Sequence, residues 1–176
     1  MATVLIGRTD PFGVKHLHIA GFQEDTPLGM AADLRRHLAQ RLAQEGLILT
    51  PNRNEAQGIL SGQLSHVVTR TDPTRSGVDA RIPSYEISMD VTAQLTDPQG
   101  ATLWRFKQHF REDFLPGQSD DPDDLSNLAL ITEDNRRQAL RRLSQAAARE
   151  IYQHLIFIGS LSQTPSEAGV THAPPL

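Results

Sequence analysis

The sequence contains no cysteine, which excludes disulfides, thiolate metal sites and thiol nucleophiles. Aromatic residues make up only 5% of the chain, too few for an extended base-stacking surface. Positive charge is not in excess. Seventeen Lys and Arg against 21 Asp and Glu give a net charge of -4, the opposite of the basic footprint of a nucleic-acid binder, so no nucleic-acid partner is expected. No apolar run approaches the roughly 18 residues that a membrane-spanning helix needs. The opening MATVLIGRTD is too short and too lightly charged for a secretory signal. If the native protein is exported, its signal is expected to be gone, with Met1 and Ala2 left by expression. At 176 residues the chain is long enough for one domain with a core.

The most informative stretch is residues 85–111, YEISMDVTAQL–TDPQG–ATLWRFKQHFR. In its first run Tyr85, Ile87, Met89, Val91, Ala93 and Leu95 share one face. Glu86, Ser88, Asp90, Thr92 and Gln94 share the other. In its second run Trp104, Phe106 and Phe110 alternate with Arg105, Lys107, His109 and Arg111. A period of two marks half-buried antiparallel strands. Asp97, Pro98 and Gly100 supply the turn between them.

The remaining elements follow from period and punctuation. Residues 4–6 form a short apolar segment, and Asp10-Pro11 with Gly13 a loop. Residues 14–22 read as a strand with Leu17 and Ile19 inward and His16 and His18 outward. Thr26 as N-cap and Pro27 at the first helical position open a helix striped by Ala31, Leu34, Leu38 and Leu42, with Gly46 closing it. Residues 47–49 lead out through Pro51. Residues 56–68 make the second strand, and 69–84 a long loop of the kind that is often functional. A second loop, 113–124, carries the acidic run 120–124. The last helix is expected over 132–157, capped by Thr132, with a separate turn over 125–130 and Gly159 as terminator. Leu140, Leu143, Ala147, Ile151, Leu155 and Ile158 form its stripe. Residues 160–176, rich in Ser, Thr and Pro, are expected to be a disordered tail behind one domain over 1–159.

The order predicts an α+β, β-α-β-β-β-α two-layer sandwich: two helices packed on one face of a mixed four-stranded sheet. The first crossover makes its two strands parallel. The alternation of the strands leaves the opposite face wet.

No catalytic spacing occurs. Gly58, Gly62, Gly77 and Gly100 make no phosphate loop, and there is no G-x-S-x-G or H-E-x-x-H. The acidic run lacks the Gly and Glu of a calcium loop. His16 and His18 could face one metal, but no third ligand is indicated. Glu86 and Asp90 share a strand face, and the cations of the next strand explain them as cross-strand partners contributing roughly 0.2–1 kcal/mol per pair. The row Arg105, Lys107, His109 and Arg111 reads either as an anion-binding face or as an ordinary charged surface.

The segments GVKHLHIAGFQEDT, NEAQGILSGQLSHV and YEISMDVTAQLTDPQGATLW, followed by the closing helix EDNRRQALRRLSQAAAREIYQHL, resemble the lipopolysaccharide-assembly lipoprotein family, LptE, over about 4–157. Two departures are visible: Glu24 stands where the family often has Asn, and the lipid-bearing cysteine is missing. The resemblance implies a non-enzymatic role without cofactor or metal. Family members are outer-membrane lipoproteins on the periplasmic side. They plug an outer-membrane β-barrel protein of lipopolysaccharide transport, assist its assembly and bind lipopolysaccharide. It implies membrane attachment through an N-terminal lipid anchor that is absent from this chain. Basic residues make the family's lipopolysaccharide contacts, and Arg105, Lys107 and Arg111 are the candidates here. Another envelope lipoprotein, such as a secretion-channel assembly factor, and a metal-dependent enzyme using His16 and His18 remain as alternative readings.

Overall fold

The computed structural model describes residues 11–25, 28–72, 84–117 and 125–161. A 3-10 turn, Pro11–Gly13, leads into β1 (His16–Glu24), α1 (Met30–Gln44), β2 (Ile48–Leu49), a second 3-10 turn (Arg53–Glu55), β3 (Gly58–Asp72), β4 (Ser84–Thr96), β5 (Thr102–Phe114) and α2 (Leu125–Leu161). The sheet order is β2-β1-β3-β4-β5. β1 lies parallel to β2 and β3, and β4 is antiparallel to both β3 and β5. The fold is thus α+β with two helices and a mixed sheet.

The alternation of β4 and β5 sets the layers. Ile87, Met89, Val91, Leu95, Trp104, Phe106, Phe110 and Phe114 are buried, while Arg105, Lys107, His109 and Arg111 are exposed. The register sets Phe106 opposite Ala93 and stacks Phe114 on Tyr85 at 5.2 Å between ring centroids. At the hairpin Gly100 takes φ +93, and the Asp97 carboxylate accepts from the Ala101 amide at 2.8 Å. From the helices, Leu34, Leu38, Leu42, Leu143, Ala147, Ile151 and Leu155 join the same buried cluster. Both helices therefore cover one face of the sheet. Tyr152 sits where the helices meet, and burial followed by its hydrogen bond to Glu45 pushes its phenol up to about 12.

The sheet has five strands, not four. The added strand is β2, in the segment expected only to lead out of the first helix. Gly46, at φ +88, donates to the Ala43 carbonyl, and the Leu47 amide donates to Leu42. This Schellman turn aims the chain along β1, where Ile48 and Thr50 donate to the Lys15 and Leu17 carbonyls at 2.9 Å. Two residues are too few to show a period.

Other boundaries move for identifiable reasons. Thr26 and Pro27 lie outside the described residues. The N-terminus of α1 is capped instead by the Glu24 carboxylate, which accepts from the Gly29 and Ala31 amides, each at 2.8 Å. The 69–84 loop is shorter than expected, because Thr69–Asp72 pair with Ser84–Ile87. A bulge with His66 at φ +53 shifts the period of β3 there and turns Val67 inward. The helix expected over 132–157 is one continuous helix from Leu125 to Leu161. Thr132 is interior, its hydroxyl donating to the Leu128 carbonyl and accepting from the Gly117 amide, both at 2.8 Å. Gly159 does not end the helix; a Cβ there would stand 2.5 Å from the Pro11 Cβ, so its role is close packing against the 3-10 turn. Ser160 and Leu161, assigned to the tail, are helical. Residues 4–6, the acidic run 120–124 and 162–176 lie outside the described residues.

Two sets of substitutions test this packing. Leu38→Ala and Leu143→Ala each remove a fully buried side chain and should cost about 2–5 kcal/mol, read as a lower urea midpoint. Midpoints equal to wild type would sink the layer assignment. A Cβ on Gly62 would collide with the Phe22 ring and with the backbone oxygen of Thr92. Gly62→Val should therefore destabilise by about 1–3 kcal/mol or more. Adding Phe22→Ala should recover little, since the Thr92 oxygen cannot move aside. Full recovery in the double variant would refute that account.

Candidate functional site

The uncovered face of the sheet carries the polar half of every strand. Register decides who neighbours whom there. Gln94 lies opposite Arg105, Thr92 opposite Lys107, Asp90 opposite His109 and Ser88 opposite Arg111. On the β3 side Ser61, Gln63 and Arg70 lie opposite Gln94, Thr92 and Glu86.

The cationic row of β5 splits into two halves as a result. Toward its C-terminal half carboxylates neutralise it. Asp90 sits between His109 at 2.8 Å and His66 at 3.3 Å, and Arg111 lies 4.0 Å from Glu86. The hydrogen bond from His109, aided by the nearby positive groups, holds the Asp90 carboxyl below the usual aspartate value. Toward the hairpin the neighbours on β4 and β3 are neutral. Among the described residues no carboxylate comes within ion-pair distance of Arg105 or Lys107.

Arg105 and Lys107 border a hollow of about 700 Å³, floored by Gly21, Ser61, Gly62 and Thr92 and flanked by Gln23, Gln63 and Gln94. It exists because the centre of the sheet has small side chains where β1 bulges. The β1–β3 register slips between Ile19 and Phe22, which places Gly21 outward. Two unpaired cations beside amides and hydroxyls form a set of donors suited to an anion with polar substituents. No carboxylate or imidazole lines the hollow among the described residues.

Of the three candidate cations, the structure brings Arg105 and Lys107 together and sets Arg111 apart, beside Glu86. The neutral lining residues were invisible as a site in the sequence, since only the strand register brings them together. His16 and His18 do not gather a metal site: His18 Nδ1 lies 3.0 Å from the Thr50 carbonyl oxygen, and among the described residues no three His, Asp or Glu side chains converge.

The Asp90 cluster has a pH signature. Because its folded pKa is depressed, its contribution to stability is present above the ordinary aspartate value, about 3.9, and is lost as pH falls through the lower folded-state value. The stability gap between wild type and Asp90→Asn should be open at neutral pH and close in acid. In carboxyl-carbon NMR, His109→Gln should move the Asp90 titration back up. A midpoint unmoved by that substitution would remove the hydrogen bond as cause.

The chain matches the family model described as LptE, lipopolysaccharide-assembly, over residues 14–155. No curated protein matches it significantly. Solved structures similar to it include rare lipoprotein B from Shewanella oneidensis, at 18% identity over 80% of this chain and 92% of that one, TM-score 0.48. A lipoprotein B from Nitrosomonas europaea is similar at 16% identity over 93% and 94%, TM-score 0.48. A minor lipoprotein from Acinetobacter baumannii is similar at 15% identity over 80% and 92%, TM-score 0.47. The family match takes in all five strands, all of α1 and most of α2, and the chain belongs to the LptE lipopolysaccharide-assembly family.

Proposed function

We propose that this protein is a non-enzymatic component of lipopolysaccharide assembly on the periplasmic side of the outer membrane. It plugs and helps assemble a β-barrel partner, and it binds lipopolysaccharide through the hollow beside Arg105 and Lys107. Membership of the family supports the assembly role. The observation that carries the binding role is the pair of cations, without an ion-pair partner among the described residues, on a depression lined otherwise by uncharged residues. Lipid A phosphates and their sugars ask for that combination. Arg gives a bidentate fork to phosphate and Lys a point charge, while Gln, Ser and Thr hydrogen-bond hydroxyl groups. Ala93 and Phe106 complete the lining beside these polar groups, and it is the cations and the polar groups that we assign to the headgroup. Attachment to the membrane is through an N-terminal lipid, as the family implies; among the described residues no helix is long and apolar enough to cross a bilayer.

The test is binding to immobilised lipopolysaccharide at low and high salt, with circular dichroism as the folding control. Replacing Arg105, Lys107 and Arg111 together with Ser should weaken binding while leaving the fold and the barrel association intact. The double variant Arg105→Ser/Lys107→Ser should account for most of that loss, and Arg111→Ser alone for little, because Arg111 already faces Glu86. Wild-type binding should weaken as ionic strength rises, since exposed cations are screened. A folded triple variant that binds like wild type would remove this face from lipopolysaccharide recognition. The next candidates would be Arg70, Arg75 and Arg81.

A further inference from the structure

β5 is the last strand of the sheet, and among the described residues nothing pairs with its outer edge. The strand is 13 residues long and contains neither Pro nor Gly. Its ladder to β4 runs without a bulge from Phe114 to Trp104. Natural edges are usually shortened, bulged or broken by Pro, because an open row of amides and carbonyls is a template for another strand. This edge is blunted only by charge, which is positive at Arg105, Lys107 and Arg111 and turns negative at Glu112 and Asp113.

Two features specify what such a strand would carry. On the wet face, Arg105, Lys107, His109 and Arg111 are all exposed. An added strand would set its own outward side chains about 5 Å from theirs. Antiparallel pairing of two copies would oppose cation with cation, so a second copy is disfavoured, whereas Asp and Glu at alternate positions are favoured. On the helix side, α2 comes over the inner face of β5. There His154 Nδ1 accepts from the Trp104 indole at 2.9 Å, and its ring meets Phe106 at 5.6 Å between centroids. Phe157 and Leu161, one and two turns further along that flank, are 63% and 57% exposed. Apolar side chains on the inward positions of an added strand would cover them.

We propose that the open edge of β5 receives an extended segment of a partner protein by strand addition. That segment alternates Asp or Glu outward with apolar residues inward. This surface shares Arg105 and Lys107 with the hollow but adds the backbone edge of β5, so an absence of peptide protection on that edge would leave the lipopolysaccharide reading standing.

The experiment is residue-resolved amide hydrogen exchange on the full chain, alone and with a synthetic peptide of about nine residues, an ordinary strand length. The peptide alternates Asp and Glu with Val and Ile; a control peptide has the same composition with its acids grouped at one end. The alternating peptide should slow exchange of β5 amides by about tenfold or more, and the control should not. Arg105→Glu/Lys107→Glu, checked for folding, should lose that protection and acquire it from a peptide with Lys in place of the acids. Equal protection by both acidic peptides would reduce the effect to general electrostatics and overturn the proposal. So would protection confined to other strands, or no change at the highest soluble peptide concentration. Outward-pointing β5 amides, those not bonded to β4, protected as strongly as β4 amides before any peptide is added would mean that the edge is already filled, and would overturn it too.

Discussion

Everything in this structure depends on confining apolar side chains to one face of the sheet. β1, β3, β4 and β5 each contribute residues to a single buried cluster, and both helices close over it. A sheet sealed on one side only must keep its other side polar. That constraint removes large side chains from the outward centre, where Gly21, Ser61 and Thr92 leave a hollow. It also forces the cations of β5 to find partners across the strands or remain without them. Core and candidate site are two results of one alternation.

Much of the fold was legible because its signals are periodic. The alternation of β4 and β5, the turn at Asp97–Gly100 and the stripes Leu34–Leu38–Leu42 and Leu143–Ala147–Ile151 repeat often enough to be read. The missed features are those that depend on a distant partner. β2 is defined by the carbonyls of Lys15 and Leu17, not by its own two residues. Thr132 followed by Glu133 and Asp134 imitates a helix start, yet its hydroxyl is spent inside the helix and on Gly117. Gly159 looks like a stop, but its missing side chain makes room for Pro11. Glu24 lies six residues before the first residue of the helix whose amides it caps, beyond the reach of a local capping pattern.

The site was legible only as a row of cations. Three cations and a histidine on alternate positions look equivalent along a chain. In the sheet they are not, because β4 places Asp90 and Glu86 against one half and Thr92 and Gln94 against the other. Neighbours across the strands, rather than the charges themselves, decide which cations remain available to a ligand.

The length of α2 gives it a mechanical role. At 37 residues it extends about 55 Å. Near its start it is fastened to the segment after β5, through Thr132 to Gly117 and Asn135 to the Leu115 carbonyl. Near its end it is fastened to the chain before β1, through Gly159 against Pro11. It therefore works as a tie beam joining the 3-10 turn before β1 to the far end of β5. A force on either end of the helix would reach both of these attachments at once, so the two ends of the fold are mechanically linked.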